Sequence, residues 1–406
     1  MGDVTIRAIE QDELPRFVET LATAFHDAVT PEWVESESMV AEPDRYLVAI
    51  DGDRFVGTAG ACTTRFTVPG GSVTAPGITA VGVVPSHRRR RINTELMRAQ
   101  LDEAARRGEP LAYLWASESP IYPRFGYGMA SLCAELEVST DRSAFVEGTP
   151  LAGTVHLLPR EEALPMMRPA YDAAAAARPG MIALDDRWWQ WLFRVSKEDE
   201  DEPRFYAVHV DDGGTPDGFA VYRVKHDWRF SVPSNELKVQ RMVCADTGAE
   251  AALWRFLFDV DLIATVKAWD RPADDTILWL VQEPRRLRFT VADGLWVRLL
   301  DVPASLAARR YAADGRLVVE VRDGFRPSTS GRYELVVDGG SATCVPTDSE
   351  PDLRCDVAAL GAVYLGGPTF GQLHRAHQVE EVRQGAVARA TAMFSWEPSP
   401  WFGFVF

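Results

Sequence analysis

The feature that most limits how this chain folds is the stretch over residues 79–127, TAVGVVPSHRRRRINTELMRAQLDEAARRGEPLAYLWASESPIYPRFGY. Its local chemistry predicts a strand, a basic turn, a helix, a second strand and a short aromatic corner. Residues 79–84 are rich in β-branched side chains, and Pro85 stops them because proline has no N–H to give to a ladder. The spacing then predicts a helix opened by Ser86-His87-Arg88-Arg89-Arg90-Arg91. Met97, Leu101, Ala104 and Ala105 face inward, and Arg106-Arg107-Gly108 closes the helix with cations and a cap glycine. A helix N-terminus presents unpaired N–H groups and a partial positive charge. Arginines placed there make a site for a pyrophosphate or another compact anion.

Taken alone, four consecutive arginines also suit a solvated face or a nucleic-acid patch. The rest of the chain argues against the latter: Lys+Arg number 43 against 59 Asp+Glu, a net charge of −16. So acidic a chain is a poor general binder of nucleic acid, and no nucleic-acid partner is expected.

The residues around this turn resemble a known family. Val81-Gly82-Val83-Val84-Pro85 with Arg88-Arg89-Arg90 is similar to the acetyl-CoA signature of the GNAT superfamily of N-acetyltransferases. Ala116-Ser117-Glu118, Ile121-Tyr122 and Arg124-Phe125-Gly126-Tyr127-Gly128 resemble the Eis-type members, named for enhanced intracellular survival. One departure stands out: the superfamily pattern wants glycine where this chain has Arg91, and glycine or alanine where it has Asn93. Glycine lets backbone approach the pyrophosphate. Arg91 therefore either swings out and adds charge, the favoured reading, or crowds the cofactor.

At 406 residues the chain has room for two or three domains, each with its own core. The Eis-type resemblance covers essentially all of it and implies an α+β protein. Its parts would be an acetyl-CoA-binding GNAT domain over 1–150, a degenerate GNAT-like domain over 151–292, and a sterol-carrier-like domain over 293–406. No apolar run approaches the roughly 18 residues of a membrane span, and the first residues lack the apolar region of a signal peptide. A cytoplasmic protein with no membrane partner is the expectation. Five widely spaced cysteines without a Cys-x-x-Cys indicate neither a disulfide framework nor a zinc site, so buried reduced thiols and no metal are expected.

In chain order, residues 4–9 alternate like a strand, and Leu14, Phe17, Val18, Leu21 and Phe25 keep helical spacing. The turn Asp51-Gly52-Asp53 between apolar runs predicts a hairpin, and residues 132–139 would add a strand to the first sheet. The pattern loosens near residue 150. Helices are predicted over 164–177 and 187–193. From residue 205 the order of hairpin, strand, turn, helix and strand recurs, the last strand placed at 276–281. In this second copy Asp246-Thr247-Gly248-Ala249-Glu250 replaces the arginines, and an acidic helix start repels phosphate. It should bind no coenzyme A. Trp296-Val297-Arg298-Leu299-Leu300-Asp301-Val302 and Tyr364-Leu365-Gly366-Gly367 resemble the C-terminal domain of Eis-type proteins.

Acetyl transfer from a thioester to an amine needs a deprotonated amine, a polarised carbonyl and a proton for the leaving thiolate. The resemblance implies residues for each need. A backbone N–H among Val81, Gly82 and Val83 would bind the thioester oxygen, and Arg89, Arg90, Arg91, Ile92, Asn93 and Thr94 would hold the pyrophosphate. Ser117 and Glu118 would line the other side. Tyr122 matches the tyrosine that protonates the thiolate, with Tyr127 the neighbouring competitor. Asp27 either caps its helix in solvent or faces an entering cationic amine. Six aromatic residues among positions 394–406 predict a packed tail, whose final carboxylate on Phe406 would by resemblance be the catalytic base. The implied acceptors are a cationic small molecule of aminoglycoside type or lysine and peptide amines, and the implied assembly is a homo-oligomer, a hexamer. The competing reading is a non-catalytic GNAT-fold binding protein that takes an apolar ligand in its C-terminal domain.

Overall fold

The computed structural model describes residues 4–406. The N-terminal region forms a twisted sheet from strands β1 (Thr5–Ala8), β2 (Leu47–Asp51), β3 (Arg54–Val68), β4 (Gly71–Val83), β5 (Leu111–Trp115) and β6 (Gly128–Met129), with helices α1 (Leu14–Phe25), α2 (Pro31–Val40) and α3 (Ile92–Arg106). The expected hairpin is there: Gly52 takes a φ of +61° between β2 and β3, a conformation that glycine adopts without steric cost. Helix α1 buries Leu14, Phe17, Val18 and Leu21, while Phe25, read from the same spacing as a core position, is half exposed. Helix α2 was not anticipated, although Thr30 caps it by accepting from the Trp33 N–H and Pro31 occupies its first turn. That pairing of threonine and proline is a legible helix start.

Three expectations differ from the structure of this region. The arginine run is not the first turn of a helix; Arg88 is extended, Arg89 and Arg91 are left-handed, and α3 begins only at Ile92. Residues Leu132–Ser139 do form a strand, but it pairs with Ile263–Pro272 and Arg288–Asp293 in a second sheet. Conversely, Leu295–Leu299 leaves the C-terminal region and inserts between β5 and β6 of the first sheet. The strands of the second sheet therefore begin at Leu132 and end at Asp293. Alternation alone identifies a strand and says nothing about its partner, which is why the exchange escaped the sequence.

The second sheet repeats the first in order. Hairpin Phe205–Val210 and Pro216–Lys225 leads to Asn235–Cys244, helix Thr247–Phe258 and the parallel strand Ile263–Pro272. Residues 276–281, expected as the closing strand, instead hold a short helix, Ile277–Leu280. Asp275 accepts from the Ile277 N–H and Thr276 bonds to Glu250, so local hydrogen bonds override the β-branched composition. The third unit is a five-stranded sheet, in the order Ser341–Pro346, Gly331–Asp338, Gly315–Arg322, Leu353–Asp356, Val379–Glu381, covered by short helices. No helix among the described residues is long and apolar enough to cross a membrane. All five cysteines are free thiols, and all but Cys244 are buried.

One apolar core runs from α1 through the tail into the third unit, and the second sheet keeps a core of its own. The first and third units meet backbone to backbone. A Cβ on Gly128 would stand 1.8 Å from the Ala358 carbonyl oxygen, and one on Gly361 would stand 2.4 Å from that of Val297. Neither neighbour is a side chain that could turn away. Gly128→Ala should therefore cost about 3 kcal/mol or more, at the upper end of overpacking penalties. Chemical denaturation checks this, and a loss within about 0.5 kcal/mol, as for an ordinary surface substitution, would contradict it.

Candidate active site

The site begins where two parallel strands part. Only Gly77 with Tyr113 and Ile78 with Leu114 pair between β4 and β5. Beyond them β4 continues to Val83 along β3 alone, and β5 stops at Trp115. The edge of β4 from Thr79 onward thus faces a gap between strand ends, the place where open sheets of this kind bind ligands.

A bulge aims this edge. Gly60 pairs with Thr79 and Thr58 with Gly82, so β4 carries one more residue than β3 between these points. Ala80 takes a φ of +52°, and its carbonyl accepts from the Thr58 hydroxyl at 2.8 Å. Left-handed backbone is unfavourable for alanine and collects at functional sites. Sequence reading missed Ala80, which carries no local signal in a β-branched run.

A cleft of about 650 Å³ opens beside this edge on the α3 side of the sheet. Val81, Gly82 and Val83 form one wall, Arg89, Arg91, Ile92, Asn93 and Thr94 the floor, and Ser117, Glu118 and Tyr122 the other wall. Phe25, His26, Ile121 and Arg124 also line it, unforeseen from sequence. The arginine run divides by position. Arg88 donates to the Ala24 carbonyl at 2.9 Å and to Val83 at 3.3 Å, tying the end of α1 to the end of β4. Arg90, expected to hold the cofactor, turns out of the cleft and pairs with Asp51 at 3.0 Å. Arg89 and Arg91, both left-handed with φ near +65°, are exposed and line the cleft.

The floor fits a pyrophosphate. No side chain caps α3, so the N–H groups of Ile92, Asn93 and Thr94 are free for an anion. Asn93 keeps its amide oxygen buried without a partner. In the second sheet the equivalent helix start is closed, because the Asp246 carboxylate accepts from the Ala249 N–H at 2.9 Å.

Tyr122 and Tyr127 are separated by their surroundings. Tyr127 is fully buried, and its hydroxyl is spent on the Met97 sulfur at 3.8 Å. Tyr122 lines the cleft within the apolar cluster of Met97, Leu101 and Leu114. Burial, with the Glu118 charge adding to it, pushes its phenol up to about 12. It stays protonated through the neutral range.

The tail arrives from the opposite face. Phe406 packs against Tyr113, Trp188 and Phe402 at ring distances of 5.9, 6.1 and 5.3 Å, and its terminal carboxylate accepts from the Thr79 hydroxyl at 3.1 Å. A Cβ on Gly77 would strike the Phe406 ring at 2.8 Å, so that glycine makes room for the tail. Asp27 is exposed just past α1 and accepts from the Ala28 N–H, outside the cleft lining that includes its neighbour His26.

Comparison with known proteins identifies what this arrangement belongs to. Two family models described as acetyltransferase (GNAT) domain match residues 5–130 and 180–299, and a sterol carrier protein domain matches 302–403. An N-acetyltransferase of Streptomyces avermitilis is 42% identical over 402 residues, 98% of each chain. N-acetyltransferase Eis of Mycobacterium tuberculosis is 32% identical over 412 residues, 97% of each chain. The crystal structure of Eis1 from Mycobacterium abscessus superposes with a TM-score of 0.88 at 32% identity over the whole of both chains. The chain belongs to the Eis-type N-acetyltransferases of the GNAT superfamily. Acetyl-CoA is the acetyl donor of this superfamily, and the cleft beside α3 presents arginines and an uncapped helix start.

Among the arginines that line the cleft of this Eis-type chain, Arg91 stands where the superfamily has glycine, and its left-handed φ of +64° shows why glycine suits the place. Left-handed backbone costs a non-glycine residue about 1–2 kcal/mol. Arg91→Gly should therefore raise the melting temperature while lowering acetyl-CoA affinity less than about threefold, and Arg91→Glu should weaken binding about tenfold or more. Thermal melts and titration calorimetry test this; a large gain in affinity for Arg91→Gly would mean that the arginine obstructs the site. For the tyrosines, Tyr122→Phe should lower turnover about 10²-fold with little change in acetyl-CoA affinity, whereas Tyr127→Phe should change turnover less than about threefold. The reverse ranking in steady-state kinetics would overturn the assignment.

Proposed function

We propose that this enzyme moves the acetyl group of acetyl-CoA to a primary amine of a cationic acceptor, with Tyr122 as the acid and the Phe406 carboxylate as the base. The observation that carries this reading is the placing of the two groups on opposite faces of the splayed strands. Tyr122 belongs to the cluster packed on α3, while Phe406 is held at Thr79 on the face of Tyr113. A donor entering from one face and an acceptor from the other would meet at the gap between β4 and β5.

Bound acetyl-CoA supplies the thioester. Val81, Gly82 or Val83 presents a backbone N–H toward its carbonyl oxygen, where charge develops. Phe406 holds the incoming amine and takes its proton. A terminal carboxylate has a pKa of about 3.5 in water, so it acts first by charge and orientation and becomes a stronger base once the site is closed to solvent. Tyr122 gives its proton to the departing sulfur. Burial makes its phenol a weaker acid, but the same desolvation makes the thiolate it serves a stronger base. Arg89, Arg91 and the start of α3 hold the phosphates, and Ser117 and Glu118 close the opposite wall.

A cationic acceptor is supported by the net charge of −16, which attracts cations over long range, and by Asp27 exposed beside the cleft. Polycationic aminoglycoside-like amines and lysine or peptide amines fit this equally. The exposed Arg91 speaks for an added charge at the phosphates and against a blocked, purely binding protein. A panel of amines read by release of free thiol tests the acceptor class, and neutral amines outperforming polycations would overturn it.

The carboxylate can be moved without disturbing its surroundings. Adding one or two residues after Phe406 leaves the aromatic packing in place but shifts the carboxylate by about 3.5 Å per residue. Such extended chains should lose acetylation while acetyl-CoA binding and melting temperature stay near wild type. Full activity in a C-terminally extended enzyme would refute the role of Phe406.

A further inference from the structure

The tail reaches the first sheet only after crossing the second. Residues 399–401 lie in a clamp made by the end of helix Arg160–Ala177 and the end of strand Ile263–Pro272. Arg178 donates to the Ser399 carbonyl and to Asp274, both at 2.9 Å, and Asp274 accepts from the Ser399 N–H at 2.9 Å. The Trp401 N–H donates to the Pro179 carbonyl at 2.9 Å. Gly180, with φ +94°, leaves room there, since a Cβ would stand 2.8 Å from the Trp401 carbonyl oxygen.

Asp270 completes the clamp, and it does so at a cost to its own domain. The Trp401 indole N–H lies 3.0 Å from the Asp270 carbonyl oxygen and 3.2 Å from its Oδ1, a donation shared between the two. Asp270 reaches this position through a bulge: Ala268 pairs with Leu136 and Arg271 with Ala134, leaving Trp269 and Asp270 opposite a single residue. Its φ is +51°, it is buried, and its Oδ2 has no partner. Burial pushes its carboxyl up to about 7, against the opposing pull of Arg241. Strained backbone and an unpaired buried oxygen are both destabilising; the carboxylate faces Arg241 of its own sheet, while the hydrogen bonds Asp270 accepts here come from the tail.

The second domain has also given up the place where a cofactor would lie. The recess at the end of strand Asn235–Cys244 holds only about 200 Å³ and is walled by Glu250, Arg271 and the tail residues Pro398 and Trp401. Asp246 occupies the helix start that an anion would need. Five residues beyond Trp401 the chain ends at Thr79, with Phe402 and Phe404 packed between.

We propose that the second acetyltransferase domain is the socket that fixes where the terminal carboxylate stands, and that Asp270 is its positioning residue, acting through Trp401. The inference rests on the reading of Phe406 as the base. It gives the inert copy of the fold a function in the reaction: the tail is indexed at Trp401, and the carboxylate is delivered at a set distance beyond it.

The test uses the full-length enzyme, with acetyl-CoA, an active amine from the panel, and four variants. Trp401→Phe keeps the ring and removes the N–H, Asp270→Ala removes the side-chain acceptor, and Asp270→Asn keeps an acceptor oxygen without the charge. The double variant Trp401→Phe/Asp270→Ala measures coupling. Trp401→Phe and Asp270→Ala should each lower kcat about tenfold or more with acetyl-CoA affinity within about twofold of wild type, a split that general loss of structure would not give. The double variant should lose no more than the worse single, and Asp270→Asn should recover most of the loss. Wild-type kcat in both single variants, additive losses in the double, or a parallel loss of acetyl-CoA binding would overturn the socket. An extended chain assayed alongside separates the two readings. If extension abolishes turnover while Trp401→Phe and Asp270→Ala are normal, the socket alone fails; if the extended chain is fully active, the carboxylate reading fails and takes the socket with it.

Discussion

Two residue pairs hold β4 to β5, and the cleft beside α3 opens where that pairing ends. A longer parallel ladder would be more stable, because each further pair adds backbone hydrogen bonds in a buried sheet. The chain gives up that stability to leave one edge of β4 open, and the bulge at Ala80 turns the edge toward the gap. The neighbouring elements are arranged around the opening. Arg88 ties α1 to the end of β4, α3 leaves its N–H groups uncapped, and strand Leu295–Leu299 supports the far side of β5. The opening has the cleft on its α3 side and the end of the tail, held at Thr79, on the other.

The three units of the chain are not separable around this opening. The first sheet borrows a strand from the boundary of the third unit and lends Leu132–Ser139 to the second. The third unit lies directly on β6, where only glycine allows the approach, and then sends the tail back across the second unit into the first. The shared core joins these pieces, so the tail folds as part of the protein interior rather than as an appendage. A chain terminus is ordinarily at risk of fraying. Here burial of Trp401, Phe402 and Phe404 suppresses it.

What sequence revealed follows from how local each feature is. The cofactor cleft is made largely from residues 81–94 and 117–122, contiguous stretches whose patterns carry the resemblance, so most of its lining was legible. The aromatic tail was legible from composition alone, since that much ring surface is not left in water. Arg90 was misplaced because its partner, Asp51, is 39 residues away on another strand. The exchanged strands escaped for the same reason: alternation reports a strand's faces but not its neighbours. The link between Asp270 and Trp401 spans 131 residues, and Ala80 carries no composition signal at all. Residues 276–281 were misread because Glu250 and Asp275 supply hydrogen bonds that outweigh β propensity.

A crystal structure with a bisubstrate analogue, coenzyme A joined through its sulfur to an amine, tests directly whether proton donor and proton acceptor stand on opposite faces of the opening between β4 and β5. The sulfur should lie within about 3.5 Å of the Tyr122 hydroxyl, roughly the outer limit of a hydrogen bond. The amine arm should pass through the gap, toward Thr79 and the Phe406 carboxylate. An analogue whose amine arm leaves on the α3 side, or whose sulfur lies away from Tyr122, would contradict that arrangement.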